Sequence, residues 1–248
     1  MGLQDVRGDP GLVPTDRRTS TGPWIGRCTT RPRRFARSPA LDRLLVELSS
    51  AFGPQHWWPA ETPFEVLVGA VLVQNTAWTN VERALASLRS ASALTPARLL
   101  ALDEARLAET IRSSGTYRAK ARKLQELSRW YLEQGGLRAL VERPLEPLRA
   151  DLLRVHGIGP ETADSILCYA AGRRTVVVDA YTRRLLSRHG FLEAEASYES
   201  IRGWLHDQLV DSQAVYEEFH ALCVRVGHLR CKPTPRCETC PATSPEPR

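Results

Sequence analysis

Apolar residues recur at helical intervals along most of this chain. The pattern predicts helices over residues 41–52, 64–74, 79–87, 104–113, 118–134, 145–153, 161–171, 180–188, 198–208 and 215–226. Short loops with glycine separate several of them, as at Gly115 and at Gly135-Gly136. Thr175-Val176-Val177-Val178 is strand-like in composition, yet no second segment has a pattern that would pair with it. It is predicted to be an extended loop leading into the next helix. Residues 1–38 lack periodicity and are rich in Arg, Pro, Gly and Thr, which predicts a disordered basic tail. The body is therefore predicted to be all-α.

At 248 residues the chain is long enough for one large or two small cores. It has no run of eighteen apolar residues, so no membrane span is expected, and the start has no signal-peptide core. The net charge of +6 suits a nucleic-acid partner. Five of those charges come from residues 1–38, where eight arginines face Asp5, Asp9 and Asp16. The basic signal in the body is local. Arg173, Arg174, Arg183, Arg184 and Arg188 bracket Asp179, and Arg225, Arg230, Lys232 and Arg236 lie near a cysteine cluster. Beside the hairpin described next, the first group is expected to form a phosphate footprint.

The densest chemistry lies in LRVHGIGPETADSILCYAAGRRTVVVDAYTRR, from Leu153 to Arg184. A helix meets His156-Gly157-Ile158-Gly159, and Pro160 suits the first position of the next helix because its missing N–H is not needed there. Gly157 and Gly159 allow a tight turn and bring bare backbone N–H groups to a helix N-terminus, a natural phosphate site. Thr162 follows in the same turn. An ordinary αα-hairpin is the alternative reading of the glycines alone.

These residues resemble the helix-hairpin-helix plus Gly/Pro-Asp signature of the endonuclease III superfamily of DNA glycosylases. In that superfamily the hairpin holds a DNA phosphate and an aspartate ends the following loop; Asp179 matches that position. The resemblance covers roughly residues 39 to 240. Trp57-Trp58-Pro59, Phe64-Glu65, the run Gly69 to Thr76 and the run Gly159 to Tyr169 are most similar to the 3-methyladenine DNA glycosylase III and endonuclease III-related branch. The resemblance implies a two-lobed helical endonuclease III-like fold. One lobe would be a helical barrel over 60–172 that carries the hairpin. The other would be discontinuous, from 39–59 and 173–248, and would end in the cysteine loop.

The resemblance also carries chemistry. Superfamily members that nick DNA use a lysine two residues beyond the hairpin's second glycine, where it forms a Schiff base with the sugar. Glu161 stands at that position, and the only lysines are Lys120, Lys123 and Lys232. A monofunctional enzyme is expected, with water as nucleophile. Asp179 is the candidate catalytic carboxylate: breaking an N-glycosidic bond builds positive charge on the deoxyribose, which a nearby carboxylate stabilises. It is also well suited to cap the following helix. Glu161 is either a second acid at the base pocket or an exposed first-turn glutamate. Gln74-Asn75-Thr76 matches the wedge that fills the gap left by a flipped nucleotide. Gly157, Gly159, Thr162 and Arg183 complete the expected DNA contacts. Trp58, Trp78 and Trp57 are candidate pocket walls, because a cationic N-alkylated purine gains about 0.5–2 kcal/mol from each electron-rich face. Core packing is their alternative role.

Cys231, Cys237 and Cys240 form C-x5-C-x2-C in a loop-rich tail, a spacing suited to a metal or an iron–sulfur cluster. The superfamily often ligates a [4Fe–4S] cluster with four cysteines here, but no further cysteine follows Cys240. Cys223 is the candidate fourth ligand or else a buried core cysteine, as free cysteines often are, with His228 or a small molecule as alternative ligands. Zinc or an unmetallated loop are the other outcomes, since the branch includes members without the cluster. The expected protein is a monomeric, cytoplasmic, bacterial enzyme associated with the nucleoid through damaged double-stranded DNA, excising 3-methyladenine or 7-methylguanine. The alternatives are a uracil, mismatched-thymine or oxidised-base glycosylase of the same fold, and a non-catalytic DNA-binding protein.

Overall fold

The structure, a computed structural model, describes residues 34–243. Its helices are α1 (Pro39–Phe52), α2 (Pro63–Leu72), α3 (Trp78–Ser90), α4 (Pro96–Ala101), α5 (Glu104–Thr110), α6 (Tyr117–Glu133), α7 (Leu137–Glu142), α8 (Leu145–Leu153), α9 (Pro160–Ser165), α10 (Ala180–Arg188), α11 (Tyr198–Gln208) and α12 (Gln213–Leu229). No strand forms among the described residues; Ala36 and Leu209 make one isolated bridge. None of these helices is long and apolar enough to cross a membrane.

The predicted helices are present. The short helices α4 and α7, six residues each, escaped prediction because so few residues show little periodicity. Residues 1–33 of the predicted tail lie outside the described residues. At its other end the tail prediction needs correction: Phe35 and Ala36 are fully buried, and Val210 N–H donates to Phe35 O at 2.9 Å.

Helix α2 is the centre of the fold. Thr62 caps it by accepting from Glu65 N–H, Pro63 occupies the first turn, and every residue from Pro63 to Leu72 is buried. A helix apolar all round must be enclosed. On one side α2 packs against α3 and α6, with α4 and α5 backing α6. On the other it meets a π-helical turn, Ile166–Ala170, that continues α9 and also touches α12. Helices α1 and α10 complete that side by packing on α12. The loop 175–178 is extended with its side chains buried, and pairs with no strand.

A buried ion pair fixes this loop. Arg149 on α8 donates twice to Asp164 on α9, at 2.9 Å each, and Asp164 is fully buried. Tyr198 donates to the same carboxylate at 2.8 Å, as does Thr175 at 3.1 Å. One buried charge thereby ties α8, α9, α11 and the start of the loop together. Asp179, at the loop's end, inherits its position from that network.

Candidate active site

Asp179 caps α10: its Oδ1 accepts from Thr182 N–H at 2.7 Å. Its Oδ2 lies 3.6 Å from His220 Nε2 on α12. Burial would raise its pKa, but the bonds to His220 and Thr182 and the charge of His220 outweigh that, and the carboxyl sits below the usual aspartate range. His220 Nδ1 is in turn 2.7 Å from Tyr169 Oη, which is also 3.2 Å from Glu217 O. Both His220 and Tyr169 are buried. Neither was singled out from sequence. The π-helical turn that sets Tyr169 against α12 leaves no mark in the hydrophobic pattern, and π-turns often accompany functional sites.

Tyr169 connects the carboxylate to the tryptophans, its ring centroid 5.5 Å from that of Trp58. Trp57, Trp58 and Trp78 pack on one another at 4.7–5.4 Å, with Trp58 and Trp78 edge to face at 83°. Trp58 lies against Gly69 of α2; a Cβ there would stand 3.2 Å from its Nε1, so the glycine makes room for the indole. Trp58 and Trp78 thus touch each other directly. Two buried indole donors, Trp57 Nε1 and Trp78 Nε1, have no hydrogen-bond partner among the described residues, and such groups normally find one.

Glu161 sits in the first turn of α9 with an exposed side chain, close enough to Asp179 to feel its charge. Loss of hydration by the surrounding protein, then repulsion from Asp179, raise its pKa, and His220 opposes this. The two carboxyls are thus displaced in opposite directions.

The hairpin adopts the predicted turn. Gly157 has φ +80°, and a Cβ there would collide with the Lys123 side chain at 2.5 Å. Gly159 faces open space. Gln74 is part of this hairpin, which sequence did not reveal: its amide donates to Thr162 Oγ1 at 2.9 Å and Gly157 O at 3.2 Å, and accepts from Lys123 Nζ at 2.6 Å. A wedge role for Gln74 requires exchanging these bonds. Asn75 beside it is exposed in the left-handed region, φ 53°, and Thr76 accepts from Asn80 at 2.9 Å. Lys120 is buried, donating to Leu72 O at 2.9 Å and Ser114 O at 2.5 Å, with its pKa lowered by burial and by Lys123 to about 8.

The arginines around Asp179 are engaged within the protein. Arg183 donates to the carbonyls of Ala194 and Ala196, and Arg173 to those of Leu140 and Val141. Arg174 pairs with Asp211, while Arg184 and Arg188 hold Cys231 O and Lys232 O. Four of these five arginines hold backbone carbonyls, and Arg174 holds a carboxylate.

Cys231, Cys237 and Cys240 line one recess with His189, Arg188, Arg230 and Arg236. Arg188 Nη1 donates to Cys231 Sγ at 3.4 Å. No three ligating side chains among the described residues are placed to hold a single metal ion. Cys223 does not line the recess. It is fully buried, with its thiol pushed up in pKa by burial and bonded to Thr182. His228 is also elsewhere, 3.2 Å from Tyr181 Oη. Cys223 and His228 are thus not among the residues lining the recess, whereas His189 is.

A helical fold that presents a glycine hairpin and a capping aspartate beside an aromatic cluster has the arrangement that the helix-hairpin-helix plus Gly/Pro-Asp resemblance implies. The chain belongs to the HhH-GPD superfamily of base excision DNA repair proteins, whose family profile matches residues 68–207. It is 42% identical to the putative DNA repair glycosylase MJ1434 of Methanocaldococcus jannaschii, over 77% of this chain and 88% of that protein. It is 31% identical to endonuclease III of Thermotoga maritima, over 81% of this chain and 89% of that protein. Among solved structures it is similar to the H. pylori 3-methyladenine DNA glycosylase MagIII bound to 1,N6-ethenoadenine, with TM-score 0.67 and 29% identity over 75% of this chain and 96% of that one. A trapped endonuclease III–DNA covalent intermediate gives TM-score 0.70 and 26% identity over 83% of this chain and 94% of that one. The chain is a DNA repair glycosylase of this family.

Proposed function

We propose that this glycosylase is monofunctional and hydrolyses the N-glycosidic bond of N-alkylated purines in double-stranded DNA. The observation that carries the reading is the line from Trp58 through Tyr169 and His220 to Asp179, which joins an aromatic wall to a carboxylate held ionised. As the C1′–N bond breaks, its electron pair leaves with the base, which is neutral on departure if it was a cation in the substrate. Asp179 stabilises the positive charge left on the sugar, and water adds at C1′ and gives up a proton to that carboxylate. Glu161 occupies the position of a lyase lysine, and a carboxyl cannot form a Schiff base. Similarity to the 3-methyladenine glycosylase MagIII supports the substrate class. The unpartnered Trp57 and Trp78 donors are suited to acceptor atoms of a purine once the cluster opens.

The recess at Cys231, Cys237 and Cys240 suits a [4Fe–4S] cluster. Three thiols line one recess, arginines beside it would offset an anionic cluster, and His189 at the same wall is the proposed fourth ligand. Such a group would brace α10 against the C-terminal loop. The DNA contacts are proposed to be the backbone of Gly157 and Gly159 with Thr162 on a phosphate, and Gln74, Asn75 and Thr76 at the duplex. Residues 60–172 are proposed to form one lobe, with 39–59 and 173–248 forming the other.

The test is release of free base from single-lesion duplexes containing 3-methyladenine, 7-methylguanine, uracil, mismatched thymine or 8-oxoguanine. Release of alkylated purines, impaired in Trp58→Ala and Trp78→Ala while abasic-analogue binding holds, supports the reading. Release confined to uracil, thymine or 8-oxoguanine overturns the substrate class, and binding with no release overturns the chemistry.

A further inference from the structure

Asp179 does not stand alone. It is 9% exposed, His220 5% and Tyr169 3%, so water has little access to the chain of contacts between them. Oδ1 is committed to the Thr182 N–H; Oδ2 faces His220 Nε2, at 3.6 Å. A carboxylate oxygen repels a ring lone pair, so the nitrogen turned toward it is the one that carries hydrogen. His220 Nδ1 is then either the acceptor of a neutral ring or the donor of an imidazolium.

Tyr169 can serve both forms. Its Oη lies 2.7 Å from Nδ1 and 3.2 Å from Glu217 O. With a neutral ring the hydroxyl donates to Nδ1. With a charged ring it accepts from Nδ1–H and turns its proton to the Glu217 carbonyl. Either way the contacts of Tyr169 Oη leave Nδ1 and the hydroxyl partnered, whereas an unsatisfied buried polar atom would be costly.

We propose that Tyr169 and His220 are positioning residues that orient Asp179 Oδ2 and keep it ionised until the attacking water gives up its proton. The inference rests on the reading of Asp179 as the reacting carboxylate. The other ionisable groups around Asp179 are Glu161 from α9, Tyr181 from α10, and Cys223 and His228 from α12. Of these neighbours, His220 is the one with a ring nitrogen turned toward Oδ2, at 3.6 Å. The pair also links catalysis to base binding, since the Tyr169 ring packs on Trp58.

The experiment compares wild type with His220→Leu, His220→Gln and Tyr169→Phe in the full chain. Single-turnover base release is measured from pH 5 to 9, beside affinity for an abasic-analogue duplex. His220→Leu should slow release at least about tenfold with little change in affinity. Without the His220 donor, burial raises the Asp179 pKa, so release should acquire an acid limb inside this range. His220→Gln returns an N–H donor and should recover most of the rate. Tyr169→Phe keeps the ring contact and should move the acid limb the same way, less far. Wild-type rates and pH profiles in all three variants overturn the proposal. If His220→Leu does not fold, flat wild-type profiles in His220→Gln and Tyr169→Phe overturn it equally. A second arm needs no activity: 15N chemical shifts of His220 in the wild type should show hydrogen on Nε2, and a neutral ring with hydrogen on Nδ1 alone overturns the proposal. Failure of the wild type to release any base, with that NMR signature present, counts against the glycosylase reading of Asp179 and not against the relay.

Discussion

Asp179→Asn separates capping from chemistry at one residue. The Thr182 N–H donates to Oδ1 at 2.7 Å, and asparagine keeps that oxygen. Asparagine and aspartate cap helices about equally well, whereas Asp179→Ala should cost about 1 kcal/mol. The change at Oδ2 is chemical: a negative oxygen becomes an NH2 that meets His220 Nε2 donor to donor. Removing preorganised charge of this kind costs about a hundredfold or more in rate, roughly 2.7 kcal/mol of transition-state stabilisation. The prediction is therefore a variant that melts close to wild type, binds an abasic-analogue duplex with unchanged affinity, and releases base at least about a hundredfold more slowly. The assays are thermal melting, fluorescence anisotropy and single-turnover base release on the same lesion duplex. The sign with pH also follows. The folded pKa lies below the unfolded value of about 3.9, so the stability this carboxylate contributes is present above that value and is lost as pH falls through the lower folded pKa. Release within about threefold of wild type in Asp179→Asn, with intact binding, would remove the carboxylate from the mechanism.

Borohydride should not trap the wild type on DNA, whereas Glu161→Lys, which puts an amine at the Schiff-base position, should yield a trapped complex; trapping of the wild type that survives removal of Lys123 and vanishes with Asp179→Asn would defeat the monofunctional reading. Anaerobically purified protein should contain iron and sulfide, and Cys237→Ser and His189→Ala should each lower cluster occupancy by visible absorption; iron-free, folded protein would refute the cluster. Asp164→Ala leaves the Arg149 charge buried and partly unpaired, and should lower stability by about 3–5 kcal/mol, read by denaturant unfolding; a loss below about 1 kcal/mol would show that the network is not what holds the loop before Asp179. Lys120→Met should destabilise by a few kcal/mol (about 1–3 per carbonyl left unsatisfied) without altering borohydride trapping, because its amine is enclosed between Leu72 O and Ser114 O.

Periodicity was sufficient for the long helices, because each must bury one face and that need is written every three or four residues. The hairpin was equally legible: Gly157-Ile158-Gly159-Pro160 states its turn locally, and the structure adds only that Lys123 lies where a Cβ of Gly157 would be. Asp179 as a helix cap follows from its place before Ala180, and Glu161 in place of a lysine can be read directly. Contacts between distant segments were not legible. His220 lies 41 positions beyond Asp179, and Tyr169 reaches it only through a π-helical turn that no hydrophobic period encodes. Gln74 bonding to Thr162, Asp164 gathering Arg149, Thr175 and Tyr198, and the arginines closing on carbonyls depend on which groups folding brings within 3 Å or so of one another. The same holds for the cysteine recess, where spacing identified three thiols but only packing turned Cys223 toward Thr182 and brought His189 to the wall. Local chemistry is carried by neighbouring residues, so sequence determined the hairpin, the cap and the missing amine. The partners of the carboxylate come from separate helices, so the tertiary structure decided them.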